Sequence, residues 1–324
     1  MMQILLVAVG AGAAAALLFA SVATGSLLAT LLFYLASLPI LIAAMGWSHL
    51  AGLLGALLAA AGLGLALDFR FFLAFLFGIG LPAWWLGYLA LLGRPVATNG
   101  SAGGTEWYPI GRLVLWAAII GTLVIVVAVV SFGTDKETFQ TEIRNAFERA
   151  LRAQGGQGGQ TQIPGRADTR RVIDILVVAL PPAAAVLLTI LNSFNLWLAA
   201  RIVKVSGRLR RPWPDLSAMT LPGITPGLLA AAIAGSFLPD LLGMLAGVLA
   251  ASLFMAYALM GLAVLHAITR GMGGRTFALI GTYFAVVVFG WPILAMSLLG
   301  LAESAFNIRA RFAAPAAGPP SPRI

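Results

Sequence analysis

Val172 to Val203 (VIDILVVALPPAAAVLLTILNSFNLWLAARIV) carries a single acid, Asp174, at one end and a single base, Arg201, at the other. A helix of this length reaches about 48 Å at ~1.5 Å per residue. A bilayer's hydrocarbon core is only about 30 Å thick. Such a helix must tilt, kink or run out into the headgroups. Pro181-Pro182 is the expected kink, since Pro182 lacks an N–H and its ring crowds the preceding turn. The run divides the chain into two blocks of apolar segments.

Soluble domains carry about 25% charged residues. Here 10% are charged and 60% hydrophobic over 324 residues, with mean hydropathy +0.98. Most of the surface must therefore face lipid. The chain has no cysteine, which excludes disulfides, thiolate nucleophiles and iron–sulfur ligation. Its two histidines, His49 and His266, lie far apart and form no zinc motif. The expectation is no metal, no cofactor, no catalytic residue and no nucleic-acid partner. The chain is read as a non-enzyme.

Hydropathy predicts an all-α, polytopic transmembrane bundle of eight or nine spans with one amphipathic helical insert. Five spans fall in residues 1–132: Ile4–Val22 (a retained helix, not a cleaved leader), Leu27–Gly46, Leu50–Leu67, Phe71–Leu92 and Leu113–Phe132. Residues 93–112 read as a loop, and Asp68 with Arg70 as an ion pair at a turn. Residues 133–171 form the polar insert. Thr134 and Glu137 fit a capping box, and Phe139, Ile143, Phe147 and Leu151 give an apolar stripe. A Gly-rich linker follows, which should be poorly ordered. Residues 172–312 hold three or four further spans: Val172–Val203, Leu241–Leu265, Phe277–Leu299 and the doubtful Ile224–Leu238. Residues 313–324 read as a disordered tail. Small residues recur every four positions at Ala8, Gly12, Ala16 and Ala20, at Gly52, Ala56, Ala60 and Gly64, and at Gly243, Gly247 and Ala251. They mark faces where helices approach closely in lipid. With nine crossings, Lys and Arg divide 9 to 11 between the two sides, so the positive-inside rule selects no orientation. The crowding of Arg201 to Arg211 favours placing that end, with the N-terminus, inside.

Polar side chains inside spans are the functional candidates, because each is costly in lipid without a partner. Asp174 and Asn192 stand 18 residues apart, five helical turns, and so share a face with Thr189 and Asn195. These four are the ligand-binding candidates, with interhelical hydrogen bonding as the rival role and an ion pair to Arg170 or Arg171 as the rival for Asp174. Arg201, Lys204, Arg208, Arg210, Arg211 and Trp213 form a basic, aromatic cluster suited to headgroups or to docking a partner subunit. Gly46-Trp47-Ser48-His49 matches the G-x-S pattern of intramembrane serine proteases in two residues only, with no third group or oxyanion donor identifiable.

LPILIAAMGW at 38–47, NSFNLWLAAR at 192–201, RPWPDL at 211–216 and GLAVLH at 261–266 resemble the YybS-like family of bacterial membrane proteins. The resemblance implies a multi-pass protein of the bacterial inner membrane with no assigned activity. It also implies distant similarity to the substrate-binding subunits of energy-coupling-factor transporters and to the cell-shape protein MreD, which have about six spans. Two functions follow as expectations: a transport component binding a small polar ligand, or a non-catalytic scaffold that recruits membrane or cytoplasmic subunits through the insert and the 201–215 loop.

Overall fold

Without water to bond the backbone, apolar runs of this length must close their hydrogen bonds within helices. The computed structural model describes residues 1–98, 101–132, 136–154 and 166–313. Its helices are α1 (Met2–Ala20), α2 (Leu27–Tyr34), α3 (Leu38–Gly46), α4 (His49–Ala66), α5 (Phe69–Phe75) and α6 (Leu81–Ala90). Then come α7 (Ile110–Phe132), α8 (Lys136–Gln154), α9 (Arg166–Val205), α10 (Thr225–Gly235), α11 (Asp240–Ile268), α12 (Arg275–Phe289), α13 (Pro292–Phe306) and α14 (Ile308–Ala313). Among the described residues, seven segments are long and apolar enough to cross a membrane: Met2–Thr24, Leu27–Gly46, His49–Ala66, Phe69–Ala90, Ile110–Ser131, Asp174–Val205 and Asp240–Ile268.

Short polar side chains start several of these helices. The hydroxyls of Ser26 and Ser48 accept from Ala29 N and Leu50 N at 3.1 Å each. Asp68 accepts from the Arg70 backbone N–H at 2.8 Å. These are N-caps, satisfying donors that the first turn leaves free. Asp68 therefore caps a helix through the Arg70 backbone, not its guanidinium, and Ser48 is occupied as a cap. At the other end of α9, Gly207 takes φ +71°. Arg208 N reaches Val203 O and Gly207 N reaches Lys204 O, a Schellman motif that ends the helix and turns the chain back over the bundle.

The span count differs from expectation at the C-terminal end. Ile224–Leu238 contracts to the 11-residue α10. Phe277–Leu299 is not continuous: it breaks at Gly290 (φ +71°) into α12 and α13, with Pro292 in the first turn of α13. Arg275, at the start of α12, lines the same cavity as Asp215 and Arg270. Arg309, just beyond α13, bonds the carbonyls of Ser217 and Met219. Both ends of this segment thus lie beside the 206–222 loop. Residues 275–306 form a broken helical hairpin that returns to the face it left. Residues 93–107 are likewise not a plain loop. β1 (Gly93–Thr98) and β2 (Ser101–Trp107) pair antiparallel, with Arg94 opposite Glu106 and their side chains 2.7 Å apart.

Glycine sets how closely the helices pack. A Cβ on Gly12 would lie 2.7 Å from Gly55 O, so α1 and α4 meet along their small-residue faces. Tighter still, a Cβ on Gly261 would fall 1.8 Å from Met296 O, and one on Gly300 2.1 Å from Tyr257 O. These bring α13 against α11 backbone to backbone. Helix α8 packs on α7 and α9, and Phe139 is buried. The Thr134 half of the proposed capping box, the side chains of Phe147 and Leu151, the 155–165 linker and residues 314–324 lie outside what is described.

Gly300→Ala is expected to cost about 1–3 kcal/mol or more through overpacking, whereas Gly62→Ala, with open space at its Cβ, should be neutral. Thermal unfolding in detergent compares them. Single cysteines introduced at Gly207, Gly273 and Ala310 should all label from one side of the membrane, and one at Asn145 from the other. Labelling of Ala310 from the Asn145 side would mean that the α12–α13 segment crosses.

Candidate functional site

The chain leaving α9 is pinned back over the bundle by its own cations. Arg208 lies 4.4 Å over the Trp47 ring. Arg210 Nη2 donates to Trp47 O at 3.3 Å, and Arg211 Nη1 to Ala90 O at 3.2 Å. Lys204 and Arg201 stand 4.7 and 5.3 Å from the Trp213 ring centroid, in cation–π range. All six residues of the predicted basic cluster are therefore engaged in holding 206–222 against helix ends.

Below this loop lies a cavity of about 870 Å³. Ile110, Leu113 and Val114 of α7 wall it, as do Ile190, Phe194 and Trp197 of α9 and Leu259, Leu262 and Ala263 of α11. One end is polar and mostly cationic: Arg211, Trp213, Asp215, Ser217, His266, Arg270, Arg275 and Tyr283. Here Asp215 accepts from Ser217 N (3.0 Å), Ser217 Oγ (2.6 Å) and Arg270 Nη2 (2.9 and 3.0 Å to its two oxygens). Arg270 also contacts Ser217 Oγ. The Ser217 hydroxyl and then Arg270 hold the Asp215 carboxyl below the usual carboxylate range, while burial lowers the Arg211 guanidinium from its ordinary value. His266 Nε2 and Tyr283 OH meet at 2.9 Å, joining α11 to α12 at the rim.

A buried ion pair braces the far side of the loop. Arg309 Nε and Glu303 Oε1 are 3.0 Å apart, with side chains 15% and 6% exposed. The other Arg309 nitrogens donate to Ser217 O and Met219 O, both at 2.7 Å. Each nitrogen of the guanidinium fork has a partner, which is what a buried charge requires.

The four predicted ligand residues sit elsewhere. Thr189 is fully buried and bonds Ala185 O within its own helix. Asn195 is buried and donates to Tyr34 O at 2.8 Å, bridging α9 to α2, while its Oδ1 has no partner. Asn192 is half-buried and makes no hydrogen bond among the described residues. Asp174 pairs with Arg144 of the insert, both side chains about half exposed. None of the four lines the cavity. The neighbouring face of α9 does, including Ser193, whose buried hydroxyl lacks a partner. Sequence reasoning also missed Asp215, Ser217, Arg270, Arg275 and Tyr283. Asp215, within the quoted RPWPDL stretch, was the available signal. Among the described residues no group of three His, Cys, Asp or Glu could hold a metal ion.

The family model for predicted membrane proteins, DUF2232, matches residues 13–304. The chain belongs to the DUF2232 family. No curated protein and no solved structure matches it. The DUF2232 match begins inside α1, takes in α2 to α12 whole and ends inside α13, so it includes every wall of the cavity. Arg309 falls just beyond it.

Removing one partner of a buried ion pair costs about 3–5 kcal/mol. Glu303→Gln should therefore destabilise strongly, and Asp174→Asn by no more than about 1 kcal/mol, as for an exposed pair. Asn195→Leu should cost about 1–2 kcal/mol as a lost interhelical bond, with Asn192→Leu close to neutral. For Asp215 the lowered pKa fixes the sign: its stabilising contact is present above the unfolded carboxylate pKa and lost as pH falls through the lowered value. Acid unfolding of Asp215→Asn should therefore show a weaker pH dependence than that of the unaltered chain at the acid end.

Proposed function

We propose that this chain is a non-catalytic, membrane-embedded binding component, of the kind used in transport, that holds a small molecule in the cavity beneath the 206–222 loop. The observation carrying this reading is the cavity itself: apolar walls, a few converging polar groups, and a volume in the range of ligand sites, about 300–1,000 Å³. The unpartnered Ser193 hydroxyl supports it, since a buried polar atom left without a partner is costly. The resemblance to YybS-like proteins, and through them to energy-coupling-factor substrate-binding subunits, points the same way. No G-x-x-x-x-G-K-[ST] loop occurs in the chain, so any ATPase driving transport would be a separate subunit.

The same end of the bundle is read as cytoplasmic, in a bacterial inner membrane. Arg94, Arg112, Arg201, Lys204, Arg208, Arg210, Arg211, Arg270, Arg275, Arg309 and Arg311 lie there, against Glu106, Asp215 and Glu303. With the α12–α13 hairpin returning to its origin, the basic residues no longer divide evenly, and the positive-inside rule selects this face. The scaffold reading is the weaker one, because Arg201, Lys204 and Arg208 already sit on Trp213 and Trp47.

Ala200 lines the cavity, and Ala200→Trp should fill part of it. The expected result is a protein with near-normal thermal stability that no longer retains a co-purifying small molecule and no longer complements a deletion strain. A well-folded Ala200→Trp protein that retains both properties would overturn the proposal.

A further inference from the structure

We infer that the cavity's occupant is an anionic lipid of the surrounding leaflet, its phosphate held by Arg211 and Arg275 and one acyl chain laid along α9. This deepens the binding-component reading and rests on it. Two arginines on the cavity have no carboxylate partner among the described residues: the Arg211 guanidinium bonds only the Ala90 carbonyl, and the Arg275 guanidinium makes no hydrogen bond or ion pair. Asp215 is already taken up by Arg270 and Ser217. The polar end thus presents uncompensated positive charge in the fork geometry that suits phosphate oxygens. Cationic pockets between spans on the cytoplasmic side bind such headgroups.

The walls fit a chain. Ile190, Phe194 and Trp197 recur at i, i+4 and i+7, one face of α9, and each is 38–46% exposed although it lies within a span. Counted back from Val205 at about 1.5 Å per residue, that stripe runs roughly 12 to 22 Å below the helix end. This is the depth that an acyl chain occupies beneath its phosphate. A small polar solute would leave the stripe uncovered, whereas a free phosphate would leave the whole apolar trough empty. The volume of about 870 Å³ accommodates a headgroup and one chain, leaving a second chain in the bilayer.

The full chain, purified in detergent, is exposed to phosphatidylglycerol or to phosphatidylcholine of the same chains, and retention is read by native mass spectrometry. Phosphatidylglycerol should be retained in preference by about tenfold or more, and 10 mM inorganic phosphate (about that concentration) should not displace it. Arg275→Gln, which removes no side-chain hydrogen bond or ion pair among the described residues, should abolish the preference, and Arg211→Gln should do the same where its melting temperature shows it folded. Arg94→Gln, at the same face but off the cavity, should keep it. Equal retention of the two lipids, or a preference that survives Arg275→Gln, would overturn the lipid assignment and mean only annular lipid. Displacement by inorganic phosphate would overturn it in favour of the free anion. Either failure leaves the binding-component reading standing on its own test at Ala200.

Discussion

Arginine bonded to backbone carbonyl holds the basic end of this molecule together. A helix that stops leaves its last carbonyls without partners and its negative dipole end exposed. Trp47 follows α3 and Ala90 ends α6. Arg210 and Arg211 deliver guanidinium donors to those two carbonyls from more than a hundred residues away in sequence. Arg309 does the same for the short 3-10 turn at Leu216–Ala218 and the residue after it, bonding Ser217 O and Met219 O. One chemical device therefore ends two helices, fixes a loop over a third and roofs the cavity. The cations that hydropathy sees as surface charge act largely as structural donors.

Much of the bundle was legible because span length and apolarity are local properties. Seven long segments stand where hydropathy put them. What was not legible depends on where the chain turns. A sliding window passes over Gly290-Trp291-Pro292, since one tryptophan and a proline barely lower the average, yet Gly290's left-handed backbone reverses the path. Asn99-Gly100 between two short polar runs is a recognised hairpin signal and was absorbed into a loop. Helical arithmetic placed Asp174, Thr189, Asn192 and Asn195 on one face of α9. It had no means of telling that the cavity opens on the adjoining face, at Ser193 and Trp197. Periodicity defines faces; only packing says what each face meets.

The cavity's polar end could not be read from sequence for a related reason. Asp215, Arg270 and Arg275 come from a loop, a helix terminus and the start of the hairpin, and no spacing rule links them. Each looked like an ordinary interfacial charge. Their convergence follows from the return of α12–α13 to the basic face, and that return rests on Gly261 and Gly300 permitting α11 and α13 to touch.

The brace from Arg309 has a consequence for the order of assembly. The residues it grips, Ser217 and Met219, precede it by 92 and 90 positions. A ribosome therefore releases the roof of the cavity long before it makes the clasp that secures it. Until the last helices have been translated and inserted, the 206–222 loop is held only by Arg208, Arg210, Arg211 and Arg270, and the compartment beneath it lacks its final clasp. Maturation of the site is a C-terminal, post-insertion event, and any truncation before residue 309 leaves the door off its latch even where every wall is present.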